Sequence, residues 1–236
     1  MSTRQPVVLT NQLLDCLPTR ERDRFLADCT VVDLVLGSVL HEPGDRIRHV
    51  YFPIESFISI LASVDEHSTL EVGMVGSEGM YGYSLLLGSD VAPLRALTQG
   101  AGATLRMKAA TFHARLEDMP ALRLQLHRYL MVLFRQLALT SACTRFHVVE
   151  KRLARWLLMS QDRAHADSFD VTQEFLAFML GVRRVGITKA AGFLQLRKLI
   201  RYKRGKVTIL NRQRLEATAC SCYQSDLDIY RREMRR

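Results

Sequence analysis

The sequence predicts an α+β protein built from an N-terminal antiparallel β-roll (jelly-roll-like), a long helix, and a C-terminal pair of short helices followed by a β-hairpin. Three observations predict this order. Short β-rich pieces fill residues 31–107, leucines step by three and four after Pro120, and a basic helical pair follows Val171. With 236 residues, 48% of them hydrophobic, the chain is large enough for two ordinary domains with real cores.

The first 30 residues predict a helical cap on the roll. Residues 11–17 and 19–29 have the pattern of two short helices separated by Pro18. From Val31 the β-rich pieces follow one another with turn residues between them and no long intervening helix. That spacing favours an antiparallel roll or barrel, which we place at residues 31–120.

Pro120 opens a long helical stretch that is predicted to reach about Ser141. Its apolar residues recur at a spacing close to that of a coiled-coil seam. The helix could pair with a second copy of itself, or it could pack on its own roll. The two arrangements are compatible, because the helix has further apolar residues outside this seam. We expect residues 121–147 to supply a dimerisation helix and hinge, with an interface formed by Leu126, Tyr129, Leu133 and Leu137.

A further helix is predicted at 149–161, and two short helices joined by a glycine turn follow it. Thr172 suits the N-cap of the first, apolar residues continue at helical spacing to Leu180, and Gly181 suits the turn. This is the helix-turn-helix pattern. The second helix has an inward apolar stripe formed by Ile187, Ala190, Ala191 and Leu194.

Residues 201–210 predict two short strands around a basic tip, the arrangement of a wing. Between Arg183 and Lys206 there are nine Lys or Arg and no Asp or Glu, which is more one-sided than a solvated helix face requires. A helical hairpin with a merely basic surface is the alternative. The candidate DNA contacts are Arg183, Arg184, Val185, Thr188 and Lys189 on the second helix, Thr172 on the first, and Lys203, Arg204 and Lys206 in the wing.

The charge of the chain is concentrated in its C-terminal part. Residues 1–144 carry 13 Lys and Arg against 15 Asp and Glu, whereas residues 145–236 carry 20 against 9. This asymmetry is typical of a domain that neutralises phosphates, so we expect residues 148–236 to bind double-stranded DNA. The second hypothesis is a ligand-sensing or protein-interaction module whose basic domain docks on an acidic protein partner.

Other classes of protein lack support in the sequence. It has no Gly-x-Ser-x-Gly elbow, His-Glu-x-x-His pair, Walker lysine or dinucleotide glycine fingerprint, so an enzyme is not predicted. No apolar run approaches the roughly 18 residues of a membrane span, and the N-terminal residues lack the apolar core of a signal peptide. We therefore expect a cytoplasmic protein that does not contact the membrane.

The cysteines predict reduced thiols rather than a disulfide framework, because they are odd in number and scattered. A single Cys220-x-Cys222 without a His or Cys partner at ligand spacing is weak evidence for metal, and His147 with Glu150 alone is no metal site. We expect no metal and no cofactor. The five cysteines are Cys16, Cys29, Cys143, Cys220 and Cys222.

At 41–45 (HEPGD), 50–53 (VYFP) and 58–59 (IS), the sequence resembles the β-roll of the CRP/FNR family of bacterial transcription regulators. The match covers nearly the whole chain, since the later parts follow in the order of that family. The resemblance implies a cyclic-nucleotide-binding-like roll that senses a signal, a long helix that makes a homodimer, and a winged helix-turn-helix that binds DNA. It also makes RNA polymerase a candidate partner.

The cyclic-nucleotide members of that family share a phosphate-binding cassette that resembles Gly-Glu-Leu followed by Arg-Ser. Here Tyr83 stands in place of the ribose-binding Glu, and either Pro93-Leu94 or Leu94-Arg95 stands in place of Arg-Ser. A buried phosphate needs a charge-assisted partner, and Arg95 alone could supply it. We expect a signal other than a cyclic nucleotide. The candidate effector contacts are Gly82, Tyr83, Ser84 and Arg95.

Aligned on the recognition helix of the family, Arg184 takes the position of its guanine-reading arginine, and Val185 replaces a common glutamate. Arginine can bind guanine O6 and N7 together, whereas valine can at most touch a thymine methyl. We therefore expect a half-site that keeps a guanine and differs from the familiar CRP site at the neighbouring position. A dimer is favoured because two-fold partners present recognition helices about 34 Å apart.

Overall fold

A computed structural model of the chain describes residues 10–65 and 68–234. The start of the predicted cap, with the segment inspected for a signal peptide, lies outside the described residues. So do part of the predicted turn at 65–67 and the end of the predicted C-terminal domain. The α+β fold class is confirmed, with an antiparallel roll, a long helix and a C-terminal winged helix-turn-helix following one another.

The cap consists of α1 (Gln12–Asp15) and α2 (Thr19–Ala27), and Asn11 caps α1 by accepting a hydrogen bond from the Leu14 N–H. Two antiparallel sheets form the roll, with strand orders β2-β6-β4-β5 and β1-β7-β3. Their strands are β1 (Thr30–Leu34), β2 (Val39–His41), β3 (His49–Pro53), β4 (Phe57–Asp65), β5 (Ser68–Val75), β6 (Arg95–Gly100) and β7 (Gly102–Lys108).

Strand β6 was not predicted from the sequence, although it lies between β2 and β4 inside the sheet. Its sequence, RALTQG, contains a single β-branched residue. The strand is held by its two neighbours and by burial of residues 96–99 rather than by its own propensity.

The glycine-rich segment 75–82 forms turns, and its glycines allow close packing. A Cβ at Gly79 would overlap the Tyr129 hydroxyl, and one at Gly76 would lie 2.7 Å from Arg163 Cγ. These close approaches explain why glycine occupies both positions.

Three helices follow the roll: α3 (Ala109–Asp118), α4 (Pro120–Phe146) and α5 (Val149–Ala164). Helix α4 begins at Pro120, where proline is well tolerated, and extends five residues beyond the predicted end at Ser141. The break between α4 and α5, where we expect the hinge, is therefore confined to His147 and Val148.

The winged part begins with α5 and continues with β8 (Ser168–Asp170), α6 (Gln173–Leu180), α7 (Arg184–Leu196), β9 (Ile200–Lys203) and β10 (Lys206–Ile209). The predicted hairpin is β9-β10. Strand β8 pairs antiparallel with β10 to give the sheet order β8-β10-β9.

Two further helices end the described chain, α8 (Arg212–Thr218) and α9 (Cys222–Met234). Helix α9 leaves the winged part and packs along α4. The Tyr230 hydroxyl donates to the Glu78 carbonyl at 3.0 Å, and Met234 is buried in the core that the roll shares with α4. We propose that the winged domain ends after α8 rather than at residue 236, because α9 packs with the first part of the chain.

Candidate nucleic-acid interface and neighbouring sites

The helix-turn-helix is closed by local hydrogen bonds that the sequence indicated. Thr172 Oγ1 accepts from the Phe175 N–H at 3.1 Å, so Thr172 is the N-cap of α6. Gly181 has φ +60°, and the Val182 N–H donates to the Ala177 carbonyl at 3.0 Å. A glycine is favoured at this position because a side chain there would be strained and would press on Leu70.

Helix α7 has one buried and one exposed face, as its periodicity predicts. The inward stripe defined above is buried throughout, in the core shared with α5 and α6. Arg183 is the N-cap, and the side chains on the opposite face are exposed, including Val185 at 59%. The Thr188 hydroxyl donates to Gln173 Oε1 at 2.7 Å, which ties α7 to α6. The exposed candidates on α7 are Arg184, Val185, Thr188 and Lys189.

The wing is a tight hairpin with a basic tip. Arg204 and Gly205 both have positive φ, 52° and 77°, the backbone of a two-residue type I′ turn. Lys203 and Lys206 are opposite each other across this turn, and all three cations at the tip are exposed. The Val171 N–H donates to the Gly205 carbonyl at 2.6 Å, so the tip is anchored next to the start of α6.

The nine cations between Arg183 and Lys206 share one property: each is exposed, and none forms an ion pair with a carboxylate of the described residues. Elsewhere the arginines are commonly paired, as Arg155 is with Asp226 at 2.6 Å. Arg197 lies 4.4 Å from the centroid of the Phe193 ring. The surface formed by α7 and the wing thus carries positive charge that no carboxylate of the described residues pairs with. Its cations are Arg183, Arg184, Lys189, Arg197, Lys198, Arg201, Lys203, Arg204 and Lys206.

The winged part is docked on the roll through buried polar contacts that the sequence did not indicate. Trp156 on α5 donates to Glu71 on β5, which also accepts from Ser59. Burial raises the pKa of the Glu71 carboxyl to about 7. Arg163 on α5 is buried and donates through Nη2 to Glu78 Oε1 at 2.6 Å, beside the glycine-rich turns.

The candidate effector residues are not brought together by a shared contact. Gly82 has φ +98° and begins the short 3-10 helix Tyr83–Leu87, while Arg95 forms an ion pair with Glu42 at 3.2 Å. Among the described residues, no hydrogen bond or ion pair joins Arg95 to 82–84. The Arg95 guanidinium thus lies at ion-pair distance from a carboxylate of its own chain, and its buried Nε has no hydrogen-bond partner among the described residues.

The neighbourhood of Tyr83 in the roll contains an aromatic group with unused polar atoms. The Tyr81 ring lies 5.5 Å from His41 and 6.4 Å from Tyr83, centroid to centroid. Burial raises the pKa of Tyr81 and lowers that of His41. Within the described part of the chain, the buried Tyr81 hydroxyl, Ser84 hydroxyl and His41 Nδ1 have no hydrogen-bond partner. These atoms could accept or donate to a small polar effector.

The predicted dimer seam needs a correction. Leu126, Tyr129 and Leu133 are 0%, 2% and 9% exposed, because they pack in the core that α4 shares with the roll. That face cannot meet a symmetry mate without unfolding its own subunit. Leu137 remains 36% exposed, and other exposed apolar side chains of α4 are Leu124, Met131 and Phe134, at 50%, 53% and 55%, with Phe146 at 76%.

The interpretation that Cys220 and Cys222 lack partner ligands is also wrong. Cys143 and His147, at the end of α4 and in the hinge, lie beside them, and the four ligand atoms are within 4.8 Å of one another. The sequence could not indicate this, because 77 residues separate Cys143 from Cys220. The contact between the two thiols lowers the pKa of Cys143 and raises that of Cys220.

No helix among the described residues is both long enough and apolar enough to cross a membrane.

Comparison with known proteins supports the C-terminal assignment. Residues 151–218 match the family model of the Crp-like helix-turn-helix domain, from α5 to the end of α8. The match includes both helices of the motif and the wing. Among curated proteins, no sequence matches this chain.

Solved structures match over most of the chain. The c-di-GMP responsive global regulator CLP of Xanthomonas campestris matches with a TM-score of 0.67 at 20% identity, over 81% of this chain and 99% of that chain. A putative CRP/FNR-family regulator from Eubacterium rectale matches with 0.68 at 18% identity, over 87% and 96%. A CRP-family regulator from Thermus thermophilus matches with 0.66 at 18% identity, over 80% and 96%.

These three proteins are described as transcription regulators. The identities are low, so the likeness establishes the fold, and the family model establishes the type of helix-turn-helix. The chain thus has the fold of the CRP/FNR transcription regulators and carries the Crp-like helix-turn-helix domain of that family.

Proposed function

We propose that this protein is a homodimeric, sequence-specific DNA-binding transcription regulator whose roll senses a signal other than a cyclic nucleotide. One observation carries the DNA-binding part. Nine exposed cations without a carboxylate partner surround the second helix and the wing of a Crp-like helix-turn-helix domain. Such a surface suits the phosphates of a duplex, because each cation can neutralise a phosphate without first breaking an internal ion pair.

Base reading is assigned to the N-terminal end of α7. In helix-turn-helix proteins the first residues of the recognition helix contact base edges. Arg184 is the first residue of α7 and is exposed, with Val185 beside it. Arg183, Thr188 and Lys189 extend the same surface. We therefore assign a guanine contact to Arg184 and a thymine methyl contact to Val185.

The wing and the start of α6 are assigned to the phosphate backbone. Lys203, Arg204 and Lys206 lie at a hairpin tip that is anchored beside Thr172 through the Val171–Gly205 hydrogen bond. The Thr172 hydroxyl accepts the cap hydrogen bond, and its own hydrogen is not used by another described residue. It can donate to a phosphate oxygen, as hydroxyls commonly do at such interfaces.

The homodimer is assigned to the free face of α4. Leu124 and Met131 are seven residues apart, and Phe134 lies three residues beyond Met131, which is the spacing of a coiled-coil seam. Ala138 and Ser141 are exposed and continue both series. Helix α9 packs elsewhere on α4, where Arg135 lies 3.7 Å from Glu233. A parallel pairing of two copies along this face would bury the three large apolar side chains.

The nature of the signal is inferred from the roll. Tyr83 replaces the acidic residue of the cyclic-nucleotide cassette, and Arg95 is paired with Glu42, so a cyclic phosphate would have to break that pair. The unpartnered atoms of His41, Tyr81 and Ser84 favour a small polar effector instead. We therefore expect effector contacts near Gly82, Tyr83 and Ser84.

Selection of bound sequences from a random DNA library with the purified full-length protein tests this function. We expect one enriched site with two-fold symmetry, for which the protein keeps a preference over random DNA as salt lowers both affinities. Arg231→Ala, on α9 outside the cationic surface, is the matched control and should select the same site. Equal affinity for selected and random DNA at every salt concentration would contradict sequence-specific binding and favour a basic surface with another partner.

A further inference from the structure

Two pairs of metal-ligand side chains lie at the two ends of the winged domain. Cys143 is in the last turn of α4 and His147 is the first residue after it, whereas Cys220 and Cys222 follow α8. The chain between the pairs contains the whole winged part. Tertiary folding brings one nitrogen and three sulfur atoms to within 4.8 Å of one another.

Two of the separations within this group are close to those around a single tetrahedral ion. Cys143 Sγ lies 3.5 Å from Cys220 Sγ, and Cys222 Sγ lies 3.6 Å from His147 Nδ1. With Zn–S bonds of about 2.3 Å and Zn–N bonds of about 2.0 Å, the tetrahedral edges are about 3.8 Å for S···S and about 3.5 Å for S···N. The observed separations are within a few tenths of an ångström of both. A cluster of several irons would hold its thiolates farther apart than one ion does.

The charges around the group are complementary to such an ion. Three thiolates, a neutral imidazole and a divalent cation carry a net charge of minus one. Arg155 is neutralised by Asp226, but the buried Arg152 donates to the Leu180 carbonyl and has no carboxylate partner among the described residues. Cys143 and Cys220 are electrostatic neighbours of the Arg152 guanidinium. Buried charges are paired or coordinate metals, so an anionic metal centre would compensate Arg152.

The three sulfur atoms are protected from solvent, and His147 is half-buried. Three cysteines and one histidine are a ligand set of structural zinc sites, which are closed and four-coordinate.

We propose that Cys143, His147, Cys220 and Cys222 bind one zinc ion. The ion connects the end of α4 and the hinge to the segment that follows α8. Because its ligands lie on both sides of the winged domain, the ion closes the domain at its two ends and holds the His147-Val148 hinge in one geometry. The role is structural, and none of the four ligands is among the residues assigned to DNA contact.

Metal analysis of the full-length protein, purified without chelator and under reducing conditions, tests the proposal. We expect one zinc per chain by mass spectrometry of the metal. Cys220→Ser and Cys222→Ser should each lose most of it, and His147→Ala should bind more weakly. Cys29→Ser is the matched control, since Cys29 lies outside the group, and it should keep the full content.

A reversible measurement on the wild-type chain is independent of whether these variants fold. After removal of metal by a chelator, added zinc should raise the melting temperature saturably, because the ion binds the folded state. Added cobalt should give thiolate-to-cobalt charge-transfer bands, which weaken in Cys222→Ser. Wild-type protein without zinc and without a cobalt–thiolate spectrum would overturn the proposal, as would full zinc content in Cys222→Ser. A metal-free Cys143–Cys220 disulfide in freshly alkylated protein would also overturn it.

Discussion

Trp156 donates its indole N–H to Glu71 Oε1 at 3.1 Å and thereby joins the first helix of the winged part to strand β5 of the roll. Ser59 donates to the other carboxyl oxygen at 2.6 Å. The Glu71 side chain is buried where the two parts of the chain meet, and this burial outweighs the nearby Arg163 and Arg155 charges and raises its pKa to about 7. The docking of the winged part is therefore sensitive to protons.

The free energy of unfolding should fall as the pH rises from about 4.5 to about 7. In this range Glu71 loses its proton in the unfolded chain but keeps it in the folded protein. Its folded pKa is about 7, above the ordinary value of 4.5, so the folded state holds the proton more tightly. The contribution is complete below about pH 4.5 and is lost by about pH 7, with an upper size of about 3 kcal/mol. Urea unfolding at a series of pH values measures this slope. Glu71→Gln should flatten the dependence of unfolding free energy on pH and raise that free energy above pH 7. The exposed Glu117→Gln should leave the pH dependence unchanged.

Replacing Arg184 by alanine should weaken binding to the selected site by about 1–3 kcal/mol and flatten the preference at one base pair, because a bidentate guanine contact is lost. Binding to a panel of single-base variants of the site measures both effects. An equal loss for every sequence would place Arg184 on phosphate. Base reading would then have to be reassigned to Arg183, Thr188 or Lys189.

Replacing Lys203 or Lys206 by alanine should weaken DNA binding without changing the base preference. A cation on phosphate carries no base information, so all sequences should weaken alike, and the slope of log affinity against log salt should fall by about 1. Salt titrations on the selected site and on random DNA compare the two variants with Arg184→Ala. A change of base preference in either lysine variant would contradict the assignment of the wing to phosphate.

Glutamate at Phe134 should give monomers, because it would place a charge against its symmetry mate on the free face of α4. Leu133→Glu, one residue away, should instead destabilise the subunit itself, since Leu133 lies in its own core. Sedimentation and thermal unfolding of both variants distinguish dissociation from unfolding. A Phe134→Glu protein with unchanged dimer mass would move the interface away from Leu124, Met131 and Phe134.

Millimolar cyclic AMP should neither raise the melting temperature nor change DNA affinity, because Arg95 is paired with Glu42 and Tyr83 replaces the acidic residue of the cassette. A saturable stabilisation by cyclic AMP would show that Arg95 can leave Glu42 for a phosphate.

The sequence by itself determined the parts whose signal is local. The inward stripe from Ile187 to Leu194, the Thr172 cap and the Gly181 turn all follow from the spacing of residues within one or two helical turns, and the structure agrees with each. The cationic surface was also located from the sequence, because its nine Lys and Arg lie close together between Arg183 and Lys206. A helix or a turn is specified by its own residues, so its pattern can be recognised before any partner is known.

Only the tertiary structure decided what packs against what. Leu133 and Phe134 are adjacent apolar residues on one helix, and the roll covers the first while leaving the second exposed. Cys143 meets Cys220, and Glu71 meets Trp156, across 77 and 85 residues of chain. Periodicity shows that a helix has apolar faces, but it does not identify the surface that covers each one. That choice depends on the packing of distant segments, which determined the free face of α4, the docking of the winged part and the cysteine–histidine group.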